Sequence, residues 1–382
     1  MHRRIATDEV DELLAAHVAD QRAAIGTDAT ASAIQAAVAT PDQVLYRNAF
    51  GTADPEASQP TPVDMTTPFD IASITKSLVG ATLAMQAVDE GLVRWQTPVA
   101  ELLPAWGEHS DSRGADATFL QLLNHTAGLA DWHPFFEDYP VDPTPRQAQE
   151  NFEAVIDDIV SMPLEGAPGA VHTYSDLGYI LLTRIFERLF DRRVDELAQH
   201  RIFEPLGLQR TTYVPCDQPP LQRAVVTEDC PHRNRVISGT VHDTNTNVLG
   251  GLSTHAGVFS TADDLLTFAR HLLAIDRGEP TDTAPLVTRE TLQFGWSTAA
   301  GSHAGHHLAG WDTPSGENSS AGRGFHPDHT VGHLGFTGTS LWIERRLGII
   351  SVLLTNRVYP TRDNDRIKPL RIAFQERIVP PP

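Results

Sequence analysis

The chain has 382 residues, 41% apolar and 20% charged, which is too long for one small core and typical of a globular protein rather than a disordered one. Its 29 basic and 49 acidic residues leave a formal net charge of −20, which argues against nucleic acid and anionic membrane as partners. No run approaches the ~18 apolar residues of a membrane span.

The basic start Met1–Arg4 is followed by acids rather than an apolar stretch, so a cytoplasmic location is expected, or a periplasmic or secreted one if a leader has been removed. Residues 8–25 place Val10, Leu13, Leu14 and Val18 at helical spacing behind acidic residues, which predicts an amphipathic helix. Residues 31–40 and 44–50 predict a hairpin across Pro41-Asp42-Gln43. The Pro-, Thr- and Asp-rich stretch 51–68 predicts a loop, and a long apolar helix pattern then runs from Ser73 to about Glu90. Residues 120–129 predict a helical turn breaking into a loop. A helix over 151–162 stops at Pro163, another begins at Asp176, and a third covers 194–202. The stretch 211–257 reads as loop, with Cys216 and Cys230 expected as two free thiols. Thr261 and Asp264 predict a capping box for a helix to about 275, followed by a short helix over 288–294. Residues 339–344 and 347–355 predict a second hairpin, and 363–378 a final helix.

The fold class is therefore α/β (α+β). An antiparallel sheet built from both hairpins has the terminal helices on one face and the Ser73 helix on the other, with a mainly helical second lobe. Residues 1–90 and 255–382 are expected to form the sheet domain and 91–254 the inserted lobe, with a site between them where the Ser73 helix begins.

Ser73 and Lys76 are three residues apart at a helix start, so they share a face at the positive end of the helix. A hydroxyl beside an amine is the pattern of an activated serine nucleophile. Only Lys76 and Lys368 are lysines in this arginine-biased chain, and an amine can lose its proton where a guanidinium cannot. Tyr174-Ser175-Asp176 precedes a helix, and the Tyr174 phenol can act as a base only beside a cation such as Lys76. His333-Leu334-Gly335-Phe336 is expected to enter a strand. Its edge N–H would face that of Ser73 as an oxyanion hole, and Gly335 would admit a substrate backbone.

Taken in this order, Ser73/Lys76, Tyr174/Asp176 and His333/Gly335 resemble the motifs of the serine β-lactamase-like, penicillin-binding-protein-fold superfamily. The branch is that of class C β-lactamases, D-Ala-D-Ala carboxypeptidases, D-aminopeptidases and β-lactamase-fold esterases (peptidase S12 type). The phrases LLNHTAGL at 122–129, PGAVHTYSDLGYILL at 168–182, GGLSTHAGVFSTADDL at 250–265 and GHLGFTGTSLWIE at 332–344 carry the same resemblance. It implies an acyl-enzyme on Ser73, with Lys76 and Tyr174 sharing the base role. It also implies an oxyanion hole of the Ser73 and Phe336 N–H groups, and substrate contacts from Asp176, His333 and Gly335. No metal or organic cofactor is implied, and the expected partner is a small ester, amide or muropeptide-like substrate.

Two departures from the class C pattern stand out. Asp176 replaces an asparagine and cannot donate to a substrate carbonyl. His333 replaces a lysine and is a poorer anchor for a carboxylate. Both favour an esterase or a peptidase/amidase over a true β-lactamase or DD-carboxypeptidase. A binding or sensor member of the same fold is the alternative without catalysis. A metal hydrolase built on His303, His306, His307, His326, His329 and His333 is disfavoured, because glycines and a proline interrupt any helix that would set ligand spacing. The aromatics Trp132, Phe135, Phe136 and Tyr139 are candidates for an acyl pocket.

Overall fold

In the computed structural model residues 5–107, 116–301 and 305–381 are described, so the basic start Met1–Arg4 and His303 lie outside the described residues. Strand β1 (Ala33–Ala39) is made of small and branched apolar residues apart from Gln35, whose amide donates to the Asp64 and Thr67 carbonyls, and all seven are buried, as a strand covered on both faces must be. Its hairpin partner β2 (Val44–Gly51) is mostly half-buried and forms one edge. Strands β8 (Thr330–Leu334), β9 (Ser340–Glu344) and β10 (Ile349–Thr355) complete an antiparallel sheet in the order β2-β1-β10-β9-β8. Ala37 faces Val352, and His333 faces Leu341. Two small sheets lie elsewhere. One pairs β3 (Phe69–Asp70) and β4 (Thr212–Tyr213) with β7 (Val258–Ser260), and the other pairs β5 (Asp229–Cys230) with β6 (Arg235–Val236).

On one face of the large sheet, Val10 and Leu14 from helix Thr7–Ala15 and Leu370 and Phe374 from helix Ile367–Ile378 pack on Ile34, Ala36, Trp342 and Leu353. The terminal helices are thus where the sequence puts them. The other face differs from expectation. Helix Ala262–Arg277 lies directly on the sheet, through a stripe of Leu265, Phe268, Ala269 and Leu272. The Ser73 helix is one layer further in. Its residues from Lys76 to Ala87 are buried all round, so it has no polar face to turn to water and is enclosed by other helices.

Other boundaries also move. The first helix stops at Ala15, because Val18 and Ala19 leave it to pair with Ala31. The helix expected from 151 starts at Pro145, where Thr144 and Gln147 form a reciprocal capping box. Thr261 caps its helix by accepting from the Asp264 N–H. The Asp264 carboxylate instead accepts from the Arg210 N–H and the Thr211 hydroxyl, so half of the expected box is absent. Cys216 and Cys230 are unbridged. Among the described residues no helix is long and apolar enough to cross a membrane.

Candidate active site

The site begins with a strained turn. Asp70, buried at the end of β3, accepts from the Ala72 N–H at 2.8 Å through Oδ1 and from the His242 N–H at 2.7 Å through Oδ2. These bonds hold Ala72 at φ +46°, in the left-handed region that costs a residue with a Cβ about 1 kcal/mol or more. Ser73 follows at once, and the helix starts at 74. The turn 335–339 between β8 and β9 is stitched to the same segment. Thr337 Oγ1 donates to the Asp70 carbonyl at 2.7 Å, and Thr339 Oγ1 donates to the Ile71 carbonyl at 2.9 Å.

Gly335 sits at this junction, where a Cβ would lie 1.9 Å from Thr339 Oγ1 and 2.5 Å from the Ile71 oxygen. Its missing side chain therefore serves the approach of two protein segments, rather than the approach of substrate expected from the sequence. Phe336 is likewise in the turn after β8, not on a strand. Ser73 and Phe336 both line the cleft, and neither backbone N–H has a protein acceptor among the described residues.

Lys76 is 0% exposed. Its ammonium donates to Ser73 Oγ at 3.0 Å, to Asp176 Oδ1 at 2.6 Å and to the His255 carbonyl at 3.1 Å. Burial pulls its pKa down, but the Asp176 carboxylate and the Tyr174 phenol outweigh burial and leave it raised. The helix is widened to π geometry over Lys76–Ala81, a local distortion frequent at functional positions.

Tyr174 lies beside this group, with its ring centroid 4.9 Å from the Lys76 ammonium. Burial raises the phenol, and the Lys76 charge only partly opposes it, so Tyr174 is neutral. Sequence reasoning missed the residue that holds it. His125 accepts from the Ser175 N–H through Nδ1 and from the Thr173 N–H through its carbonyl, both at 3.0 Å, so the two neighbours of Tyr174 hang on one residue. His125 itself stands at φ +62°, and its ring lies against that of Tyr174, centroids 4.4 Å apart and tilted by 37°. The signal was the His in LLNHTAGL, which carried family likeness but no chemistry of its own. Asp70 was missed because its partners, the Ala72 and His242 N–H groups, are backbone groups with no signature in the sequence.

His333 is buried on β8. Its Nδ1 is 2.8 Å from the Leu334 carbonyl, to which it donates, and Nε2 has no hydrogen-bond partner among the described residues. Burial, with the Lys76 charge behind it, pushes its pKa down to about 3. It is an uncharged imidazole and cannot anchor a carboxylate as a cation would.

Ser73, Tyr174, Asp176, His333, Gly335 and Phe336 line one cleft of about 690 Å³, with Lys76 at its floor bonded to two of them. Trp132 and Phe136 also line it. Phe135 is in the core, and Tyr139 turns away to Asp158. Of the histidine-rich stretch, His306 and His307 reach the cleft, whereas His326 and His329 pair with each other outside it.

Comparison with known proteins places the chain as a whole. The family described as Beta-lactamase matches residues 10–375. N-acetylmuramyl-L-alanine amidase of Bacillus subtilis (strain 168) is 28% identical over 329 residues, covering 78% of this chain and 70% of the relative. A protein of Escherichia coli (strain K12), provisionally named D-alanyl-D-alanine carboxypeptidase, is 27% identical over 345 residues, covering 83% and 76%. Among solved structures, EstCE1, a hydrolase with promiscuous acyltransferase activity, superposes with a TM-score of 0.73 at 19% identity, covering 97% of both chains. That likeness is one of fold.

Proposed function

This chain belongs to the beta-lactamase family and is a hydrolase of the serine β-lactamase fold; on that premise we propose that Ser73 is acylated by a small ester, or by an amide or peptide substrate. The observation that carries the proposal is the buried Lys76 ammonium, bonded at once to Ser73 Oγ and to Asp176.

Lys76 is charged at rest and cannot take a proton until it has given one away. Asp176, 2.6 Å distant, is the acceptor. As Lys76 passes its proton to Asp176 Oδ1, the Ser73 hydroxyl proton moves to the Lys76 nitrogen and Ser73 Oγ bonds to the substrate carbonyl carbon. The N–H groups of Ser73 and Phe336 receive the oxyanion. Tyr174, a neutral phenol, donates its proton to the leaving oxygen or nitrogen and is reprotonated from the Asp176–Lys76 pair. Water then attacks the acyl-enzyme by the same steps reversed.

Asp176 thus takes the part of proton acceptor rather than of substrate donor. With His333 uncharged as well, the position where the class C pattern has a lysine offers no cation to a β-lactam carboxylate, although Arg357, Arg362 and Lys368 line the cleft further out, and esters and neutral amides are favoured. The names of the two relatives both denote amide cleavage, which makes a muropeptide-like amide the second substrate class.

The test is a panel of p-nitrophenyl acetate and butyrate, nitrocefin, D-Ala-p-nitroanilide and a muramoyl-peptide, with Ser73→Ala as control. Ester or amide turnover lost at least about 10³-fold in the variant supports the reading. Retained turnover overturns it. Fluorophosphonate labelling of Ser73 with no turnover of any substrate points to a binding or sensor role instead.

A further inference from the structure

One wall of the cleft carries a side-chain set that acyl transfer does not use. The turn 306–313 folds back on itself, and His307 bridges to Asp312 across it. It is the defined hairpin that a run interrupted by Gly305 and Gly310 did not advertise. The turn brings His306, His307 and Asp312 together, with one donor atom from each within 4.8 Å of the others. His306 Nδ1 is 2.7 Å from Asp312 Oδ1, and His307 Nε2 is 3.9 Å from the same oxygen. Two ligands ~2.0 Å from a tetrahedral cation stand about 3.3 Å apart. The two separations to the carboxylate bracket that span, and the two imidazole nitrogens, within 4.8 Å of each other, have further to close.

A second observation concerns His307, which is 5% exposed. Its Nδ1 lies 2.9 Å from His172 Nε2. With Nδ1–H donating to His172, His307 Nε2 is a bare lone pair. It makes no hydrogen bond among the described residues and is directed at Asp312. A ligating histidine has this form, with its far nitrogen held by a further group that sets ring and tautomer.

The third concerns Asp312, a buried carboxylate whose ion-pair partners among the described residues are His306 and His307 alone. Its backbone is clamped to Gly332 of β8 by two hydrogen bonds of 2.8 and 2.9 Å, so the carboxylate is held in place. A buried carboxylate without a permanent cation is costly.

We propose that His306, His307 and Asp312 bind one borderline divalent cation of the zinc class in the wall of the cleft. Two imidazoles and one carboxylate are a donor set such a cation accepts, with a fourth position left for water or a substrate oxygen. On binding, the proton shared by His306 Nδ1 and Asp312 leaves, and the ion adds a net single positive charge to a cleft where His333 has none. That charge is matched to the carboxylate group that hydrolysis of a neutral ester or amide releases as product.

The full chain is stripped with EDTA and dialysed against zinc chloride. Bound metal is read by elemental analysis, and geometry by the visible spectrum of the cobalt(II) form. About one equivalent is expected for the wild type and equally for Ser73→Ala, so this site and the nucleophile stand or fall separately. His307→Ala and Asp312→Asn should bind at least about tenfold more weakly, and His326→Ala should bind as the wild type does. Wild-type affinity in His307→Ala and Asp312→Asn, or no binding above that lost in His326→Ala, overturns the proposal. Should Asp312→Asn fail to fold, His306→Ala reads the same site from its solvent-facing ligand, whose side chain is 40% exposed.

Discussion

Lys76 and His333 face one cleft from two elements, and both are buried, yet they carry opposite charge states. Burial acts on each in the same sense, against the protonated form. Lys76 has a carboxylate 2.6 Å away, and its pKa rises. His333 has only a carbonyl for its N–H and the Lys76 charge for company, and its pKa falls to about 3. Depth alone therefore does not decide whether a buried base is charged; the nearest counter-charge does.

Removing that counter-charge should produce the largest effect. Asp176→Asn leaves Lys76 buried without its partner, at a cost of about 3 kcal/mol in urea unfolding. It should also lower kcat/KM at pH 7 by about 10²-fold. The acid limb of the pH–rate profile should move to higher pH, since Lys76 must then lose its proton to bulk water. The raised Lys76 pKa gives the pair a definite window. Its stabilisation is complete below the unfolded lysine value of ~10.4 and is lost as pH rises through the folded value. The stability gap between wild type and Asp176→Asn should accordingly narrow in strongly alkaline buffer. A gap that is constant across that range breaks the comparison.

The complementary change acts at low pH. The unfolded chain protonates His333 below about pH 6.5, and the native state refuses the proton until about pH 3, so stability falls across that window. His333→Gln removes this penalty and should lose about 3 kcal/mol less than wild type between pH 7 and 4. Parallel pH–stability curves for the two proteins would show His333 to be charged in the fold.

Gly335→Ala forces apart the two segments that set the distance between Ser73 and Phe336. It should cost about 2 kcal/mol and reduce turnover with it, by denaturant titration and ester assay. His125→Ala should lower kcat about tenfold with little change in KM, by releasing Tyr174. His125→Asn keeps an acceptor and tolerates the left-handed φ of +62°, and should recover most of the loss. Equal losses in the alanine and asparagine variants would reduce His125 to packing.

Ser73, Lys76 and Tyr174 were legible because each lies beside a strong local signal. Ser73 and Lys76 share one helical turn, and Tyr174 ends a loop where a helix begins. The hairpins, the terminal helices and the fold class were legible for the same reason, since periodicities of 2 and 3.6 are written into consecutive residues. What Asp70 and His125 do was not legible, because their partners are backbone groups brought near by folding: Ala72 and His242 for one, Thr173 and Ser175 for the other. The placement of helix 262–277 on the sheet, ahead of the Ser73 helix, depended on which apolar helix also had a polar face to give to water.

By itself, then, the sequence determined the elements and the order of the chemical groups along the chain. Only the tertiary structure decided their charges and partners. Asp176 is one hundred residues from Lys76, and His172 is 135 from His307. A protonation state depends on what stands within a few ångströms in space, which local sequence does not encode.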